Sequence, residues 1–283
     1  MFNFDAKNKA IRDLKASVCQ HESLREQVQS TSLELFKERQ RAASEVIQKL
    51  EAFINNLSNT PKEFEKVVSE YRIQAKYFRE AVRQLEIQEA KAVQVAGGTG
   101  VAGAAAGVGV AALGPSAAMA IATTFGTAST GTAISTLSGA AATNAALAWL
   151  GGGALAAGGG GMAAGNFLLA MAGPVGWTIG GATLVGSGVY LNCKNAQIAE
   201  EATKKRLEVE SEIRSLKIAD TEIRQLLSKT RELSDGCLET LEHLQRSAPY
   251  DYKRFSLEQK QRLATLVNHI SSLGNLLNKQ TSL

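Results

Sequence analysis

Gly98-Thr-Gly100-Val-Ala-Gly103 is the one stretch whose residue types and spacing fit a cofactor loop. Glycines at this spacing let a backbone wrap a pyrophosphate at a helix N-terminus, and Val93-Gln-Val-Ala96 ahead of them could serve as the strand that the arrangement needs. A dinucleotide site then requires an acid about 20 residues further on to bind the ribose. None occurs before Glu200, and no alternation of strand and helix patterns follows. In a stretch this rich in Ala and Gly the match arises by chance, so no cofactor is expected. A phosphate loop is excluded as well, because Gly-Lys-Ser/Thr is absent.

The other chemistry-bearing residues are scattered. His21, His243 and His269 stand alone, with no His-Glu-x-x-His, and each is expected to be a solvated or interfacial helix residue. Cys19, Cys193 and Cys237 are far apart and form no Cys-x-x-Cys. That argues against a disulfide framework or a zinc site and suits a reducing compartment. Helix packing is the default for Cys19 and Cys237. Cys193, beside Lys194, occupies a position where acylation is the less favoured reading. Acidic pairs such as Glu200-Glu201 lie in highly charged helical sequence and are expected to be solvated. No catalytic or metal-binding residue is assigned, and the chain is read as a non-enzyme.

The chain must therefore be read for what positions side chains rather than for what reacts. No Asp, Glu, Lys, Arg or His occurs from Ala92 to Cys193, a run of 102 residues. All 31 Lys/Arg and 27 Asp/Glu fall in the other 181 residues. A globular domain rarely keeps so long a run free of charge, because its surface faces water. Three regions follow: residues 1–91, an N-terminal amphipathic helical hairpin; residues 92–193, a charge-free Gly/Ala-rich membrane-insertion region; and residues 194–283, C-terminal amphipathic helices. Neither flank is a basic arm, with 16 Lys/Arg against 14 Asp/Glu in the first and 15 against 13 in the last. Nucleic acid is thus not an expected partner.

The flanks read as helices. Val46, Leu50, Phe53 and Leu57 step by helical intervals, and Asn59-Thr60-Pro61 then breaks the chain. Thr60 is placed to cap a new helix with Pro61 at its first position. From there Phe64, Val68, Tyr71, Ala75, Phe78, Val82 and Leu85 form one apolar seam, and the short connection predicts an antiparallel hairpin. After the charge-free run, Ile198, Ala202, Val209, Ile213, Leu216, Ile223 and Leu227 share a face that Asp220 interrupts. Asp235-Gly236 and Ala248-Pro249 read as breaks. Ser256 and Gln259 make a capping box ahead of Leu263, Leu266, Ile270, Leu273 and Leu277. β signals are scarce, so the fold class is all-α: long amphipathic helices, bundle- or coiled-coil-like, flanking an Ala/Gly-rich helical hairpin region.

The central run holds 24 Gly and 28 Ala. Gly costs roughly 1 kcal/mol against Ala in a soluble helix, but membrane helices tolerate it because small residues let backbones approach. Small residues recur every fourth place: Thr127, Gly131, Ser135, Gly139 and Thr143; then Gly153, Ala157, Gly161 and Gly165; then Gly176 and Gly180. Each series is a packing ridge along one helix face. Turns are expected at Gly114-Pro115, Gly151-Gly152-Gly153 and Gly173-Pro174. The pieces between approach the roughly 20 residues needed to cross a bilayer, giving two to four crossings with both flanks on one side. Trp149, Trp177 and Tyr190 are candidate interfacial anchors, with core packing the alternative. Sparse Leu, Ile and Phe imply marginal insertion, as suits a protein that alternates between soluble and membrane-bound forms. The bland alternative is a soluble bundle with an Ala/Gly-rich core hairpin.

This layout resembles the α-helical pore-forming toxins of the cytolysin-A type, in which an apolar part is packed against the bundle and released at the membrane. The Gly/Ala-rich run broken by Gly-Pro resembles the membrane-addressing region of apolipoprotein L proteins. Residues 126–165 are similar in texture to glycine-zipper segments of bacterial effectors and of a small interferon-inducible mitochondrial family. These resemblances imply a membrane-active effector with a lipid bilayer as partner, homo-oligomeric assembly and no cofactor. A non-enzymatic helical scaffold or adaptor, anchored or soluble, that binds a protein through its long helices is the alternative. The polar N-terminus MFNFDAKNKAIRDLK lacks a signal-peptide core. Cytoplasmic synthesis is expected, followed by membrane association or export by a non-classical route.

Overall fold

The computed structural model describes residues 2–99, 178–179, 182–183 and 195–279. Five α-helices account for nearly all of them: α1 (Phe2–Arg41), α2 (Ile47–Asn55), α3 (Lys62–Thr99), α4 (Asn195–Ser247) and α5 (Leu257–Leu277). A π turn over Ala42–Val46 joins α1 to α2 in one helical path, and a 3₁₀ turn over Tyr252–Arg254 precedes α5. The only strands among the described residues, β1 (Thr178–Ile179) and β2 (Ala182–Thr183), form an antiparallel two-residue ladder. The fold is all-α, as the helical periodicity required.

Cross-helix contacts fix the directions. His21 meets Glu212, Gln27 meets Asp220, Arg41 meets Asp235 and Lys49 meets Glu242, so α1–α2 and α4 run parallel. Phe53 packs edge-on against Phe64, Tyr71 reaches Ala42, and Phe36 stacks near Phe78. These pairs make α3 antiparallel to α1–α2, which is the expected hairpin. Gln259 donates to the Ser247 carbonyl at 2.7 Å, turning α5 back along α4. The result is a four-helix section in which α5 fills the groove left by α3 and α4. Beyond the end of α5, α1 and α4 continue side by side. At 1.5 Å per residue, α4 alone is about 80 Å long.

The core of the four-helix section follows the apolar spacing. Phe64, Val68, Tyr71, Ala75, Phe78 and Val82 of α3 are all buried, as are Leu263, Leu266, Ile270, Leu273 and Leu277 of α5. Each Val, Leu, Ile and Phe among them contributes about 1.5–3 kcal/mol of transfer free energy. The capping box forms as expected, with Gln259 N–H donating to Ser256 Oγ and Ser256 N–H to Gln259 Oε1.

The π turn settles a mismatch of register. Leu14, Val18, His21, Arg25, Val28, Ser32, Leu35, Arg39, Ala42 and Val46 alternate steps of four and three along α1 and into the π turn. Ala43, Ile47, Leu50 and Leu57, also buried, lie one place out of that series. A π turn absorbs one extra residue and returns both seams to the same side. Its first carbonyl, Ala42 O, accepts a 2.8 Å hydrogen bond from Tyr71 Oη across the core. Burial raises the Tyr71 phenol well above its usual value, so the hydroxyl remains a donor.

Three sequence readings are corrected. Asp235-Gly236 does not break a helix; both residues lie inside α4. A side chain at Gly236 would meet the His269 ring of α5 at 3.0 Å, so this glycine serves close approach rather than a turn. Thr60 does not cap α3: its hydroxyl donates back to the Leu57 carbonyl at 2.7 Å and, among the described residues, accepts from no amide of the helix. The first helical bond is instead Glu65 N–H to Pro61 O, and Asn59 supplies the left-handed residue of the turn (φ 56°). Cys19 is exposed rather than packed.

Candidate functional site

The residues singled out in the central run lie outside the described residues. They are Gly131, Ser135, Gly139, Gly153, Gly161, Gly165, Gly176, Gly180, the anchors Trp149, Trp177 and Tyr190, and the turns at Pro115 and Pro174. What the structure places is the frame to which that run is attached. α3 carries the chain eight residues past Lys91, to Thr99. Val93-Gln-Val-Ala96 and Gly98 are therefore helical, and the strand that a dinucleotide loop needs is not there. α3 runs from the two tight loops toward the end where α1 begins, and α4 starts from that same end. The charge-free run thus departs from and returns to one end of the bundle, and both short loops occupy the other.

Near that attachment, the seam between α1 and α4 carries ionisable groups where a coiled coil would place apolar ones. His21 is 0% exposed, with Nε2 3.3 Å from Glu212 Oε2. This is the interfacial form of the environment expected for a lone histidine; His243, by contrast, is exposed. Asp220 also lies buried in the seam, which accounts for the interruption read in the α4 face. It accepts hydrogen bonds from Gln27 Nε2 at 2.8 Å, Thr31 Oγ1 at 3.3 Å and Arg224 Nε at 2.8 Å. Its hydrogen bond and charge raise the Arg224 guanidinium above its usual value. A second, more exposed set fixes the flank: Arg41 bridges Glu38 and Asp235, and Arg231 approaches Glu34 and Glu38.

Arg39 is the third polar seam residue. It is buried where α5 ends, and its Nη2 donates to the Lys279 carbonyl. Burial lowers its pKa to about 10. The carbonyl-rich C-terminus of α5 carries partial negative charge and partly compensates the guanidinium. Asn278, beside it, donates to Gln74 of α3 at 2.8 Å. One corner therefore ties α5 to both α1 and α3.

None of this assembles a nucleophile, a general base and a site between them. Among the described residues no group of three His, Cys, Asp or Glu is placed to hold a metal ion. Burial pushes the Cys237 thiol up to about 12, which makes it unreactive. What polar seam layers do is set partner, direction and register at a cost in stability relative to apolar ones. Sequence reasoning missed the α1 seam, because His21, Arg25, Ser32 and Arg39 hide its period.

Comparison with protein families, with characterised proteins and with solved structures yields no match to this chain.

Proposed function

We propose that the chain is a membrane-active effector whose helical bundle holds a charge-free segment until that segment enters a bilayer. One observation carries the reading. The 102 residues without Asp, Glu, Lys, Arg or His are joined at both ends to the same end of a charged bundle. A segment so placed enters lipid without forcing either flank across it. No described helix is long and apolar enough to cross a membrane, so insertion falls to the central run. Its small-residue ridges then supply close helix contact, and copies associate into a pore or a membrane-disrupting oligomer. The polar α1–α4 layers near the attachment favour opening there before the four-helix core does.

Purified full-length protein is expected to sediment with liposomes and release an encapsulated dye. Gly131→Leu with Gly139→Leu raises apolarity but fills the ridge, so it should retain membrane binding and lose release. Neither sedimentation nor release across a range of pH and lipid composition would reject the proposal.

A second reading, a helical adaptor, draws on α3, where Ile73 and Tyr77 stand exposed one turn apart on the solvent face. Carbonate washing separates the two. Integral behaviour without permeabilisation favours an anchored adaptor, and full extraction with a protease-resistant middle favours a soluble one.

A further inference from the structure

The loop end of the bundle, opposite the charge-free run, has a chemistry of its own. Pro249 ends α4, and the chain from Tyr250 to Lys260 forms a rigid cap. Ser58 N–H donates to the Tyr250 carbonyl at 2.7 Å, and Tyr252 N–H to the Ser58 carbonyl at 3.0 Å. Asp251 accepts from Asn59 Nδ2 at 2.9 Å and from the Lys253 amide at 3.0 Å, closing the 3₁₀ turn. Lys260 lies over the Tyr252 ring, which packs on buried Phe255. On this fixed backbone Tyr250 is 79% exposed and Leu257 74%, the highest values of any large apolar residue described. Lys253, Arg254 and Lys260 are exposed beside them, and none is in an ion pair among the described residues. Of the acids nearby, Asp251 is held by hydrogen bonds in the turn and only partly offsets the charge of Lys253 and Arg254, and Glu258 pairs with Arg262 at 3.0 Å.

We infer that this cap, through Tyr250, Leu257, Lys253, Arg254 and Lys260, docks on an anionic lipid surface. Two apolar side chains standing clear of the backbone among three cations match an interface in which headgroup charge lies over hydrocarbon. An acidic polypeptide fits less well. The neighbouring groove of about 250 Å³, between α2 and the end of α4, has Tyr250 on its rim but neither Leu257 nor the cations. Docking here does not rest on insertion of the charge-free run, which leaves from the opposite end.

The test uses full-length protein carrying Cys19→Ser, Cys193→Ser and Leu257→Cys, labelled at position 257 with an environment-sensitive dye. Vesicles of phosphatidylcholine alone are compared with vesicles containing phosphatidylserine. The dye is expected to brighten and shift to the blue only on the anionic vesicles, and high salt should reverse the change. Lys253→Gln, Arg254→Gln and Lys260→Gln should each weaken the dye-reported binding by about fivefold. Circular dichroism confirms that each variant remains helical. An unchanged dye on anionic vesicles overturns the inference, as does undiminished binding when Lys253→Gln, Arg254→Gln and Lys260→Gln are combined in one protein. A spectral response to soluble polyglutamate equal to that on vesicles also overturns it, in favour of an acidic protein partner.

Discussion

Gln27 and Asp220 lie 193 residues apart, on opposite sides of the charge-free run, and meet through a 2.8 Å hydrogen bond inside the α1–α4 seam. The contact joins the two flanks in parallel and fixes their register. Hydrogen bonds to a buried carboxylate contribute about 1.5–3 kcal/mol each in mutational series. Asp220→Ala is therefore expected to lower unfolding free energy by about 2 kcal/mol, although Thr31 keeps its 2.9 Å hydrogen bond to the Gln27 carbonyl. A double-mutant cycle with Gln27→Ala, read by urea denaturation, should return a coupling of about 1 kcal/mol. Additive effects would mean that the pair does not set the register.

Gly236 and His269 test why a glycine sits inside a 53-residue helix. A methyl group there meets the imidazole at 3.0 Å, tighter than most real contacts. Ala gains about 1 kcal/mol over Gly in a helix interior. In the wild-type background crowding should offset that gain, leaving Gly236→Ala close to neutral. With His269→Ala the space opens, and the same substitution should stabilise by about 1 kcal/mol. Thermal melts of the four proteins decide the matter. A stabilising Gly236→Ala in the wild-type background would show that the ring yields freely.

The hairpin of α2 and α3 and the final helix were legible because their core positions are apolar at helical spacing. Phe64 through Val82 and Leu263 through Leu277 announce their faces directly. The α1 seam was not legible. Four of its ten places hold His21, Arg25, Ser32 and Arg39, so hydrophobic periodicity carries no signal there. The contacts that make those residues tolerable come from α4 and α5, far away in sequence. Asp235-Gly236 misled for a related reason: a turn signal and a close-packing glycine look alike until the opposing His269 is known. The π turn at Ala42–Val46 leaves only a one-residue slip between two seams, visible once both are established.

Cys19 and Cys237 should differ sharply in reactivity. Cys19 is exposed, whereas Cys237 is buried with its thiol pushed up to about 12. A disulfide-exchange reagent at mildly alkaline pH should modify Cys19 in the native protein and Cys237 only after denaturant is added, as peptide mass mapping would resolve. The same burial carries a sign for stability. The folded state holds this proton more tightly than the unfolded chain, so the contribution of Cys237 is full below about pH 9 and is lost as pH rises toward 12. Equal modification rates at the two sites under native conditions would contradict the buried placement.

Arg39 yields the most direct test of a costly buried charge. Burial lowers its pKa to about 10, so the folded state binds this proton less tightly than the unfolded chain does. Stability must then rise with pH across the interval from about 10 up to the normal guanidinium value. Arg39→Met keeps most of the volume and removes the charge. Replacing buried ionic groups by apolar ones of similar size is often neutral or stabilising by about 1–4 kcal/mol. The Met protein should thus be at least as stable at neutral pH, even though the Lys279 carbonyl loses its donor. Arg39→Ala should instead destabilise, because the aliphatic stem packs the layer where α5 ends. Urea melts of wild type and Arg39→Met from neutral to strongly alkaline pH separate charge from packing. The difference between them should narrow as pH passes 10; a constant difference would show that the guanidinium is well solvated by its carbonyl partners.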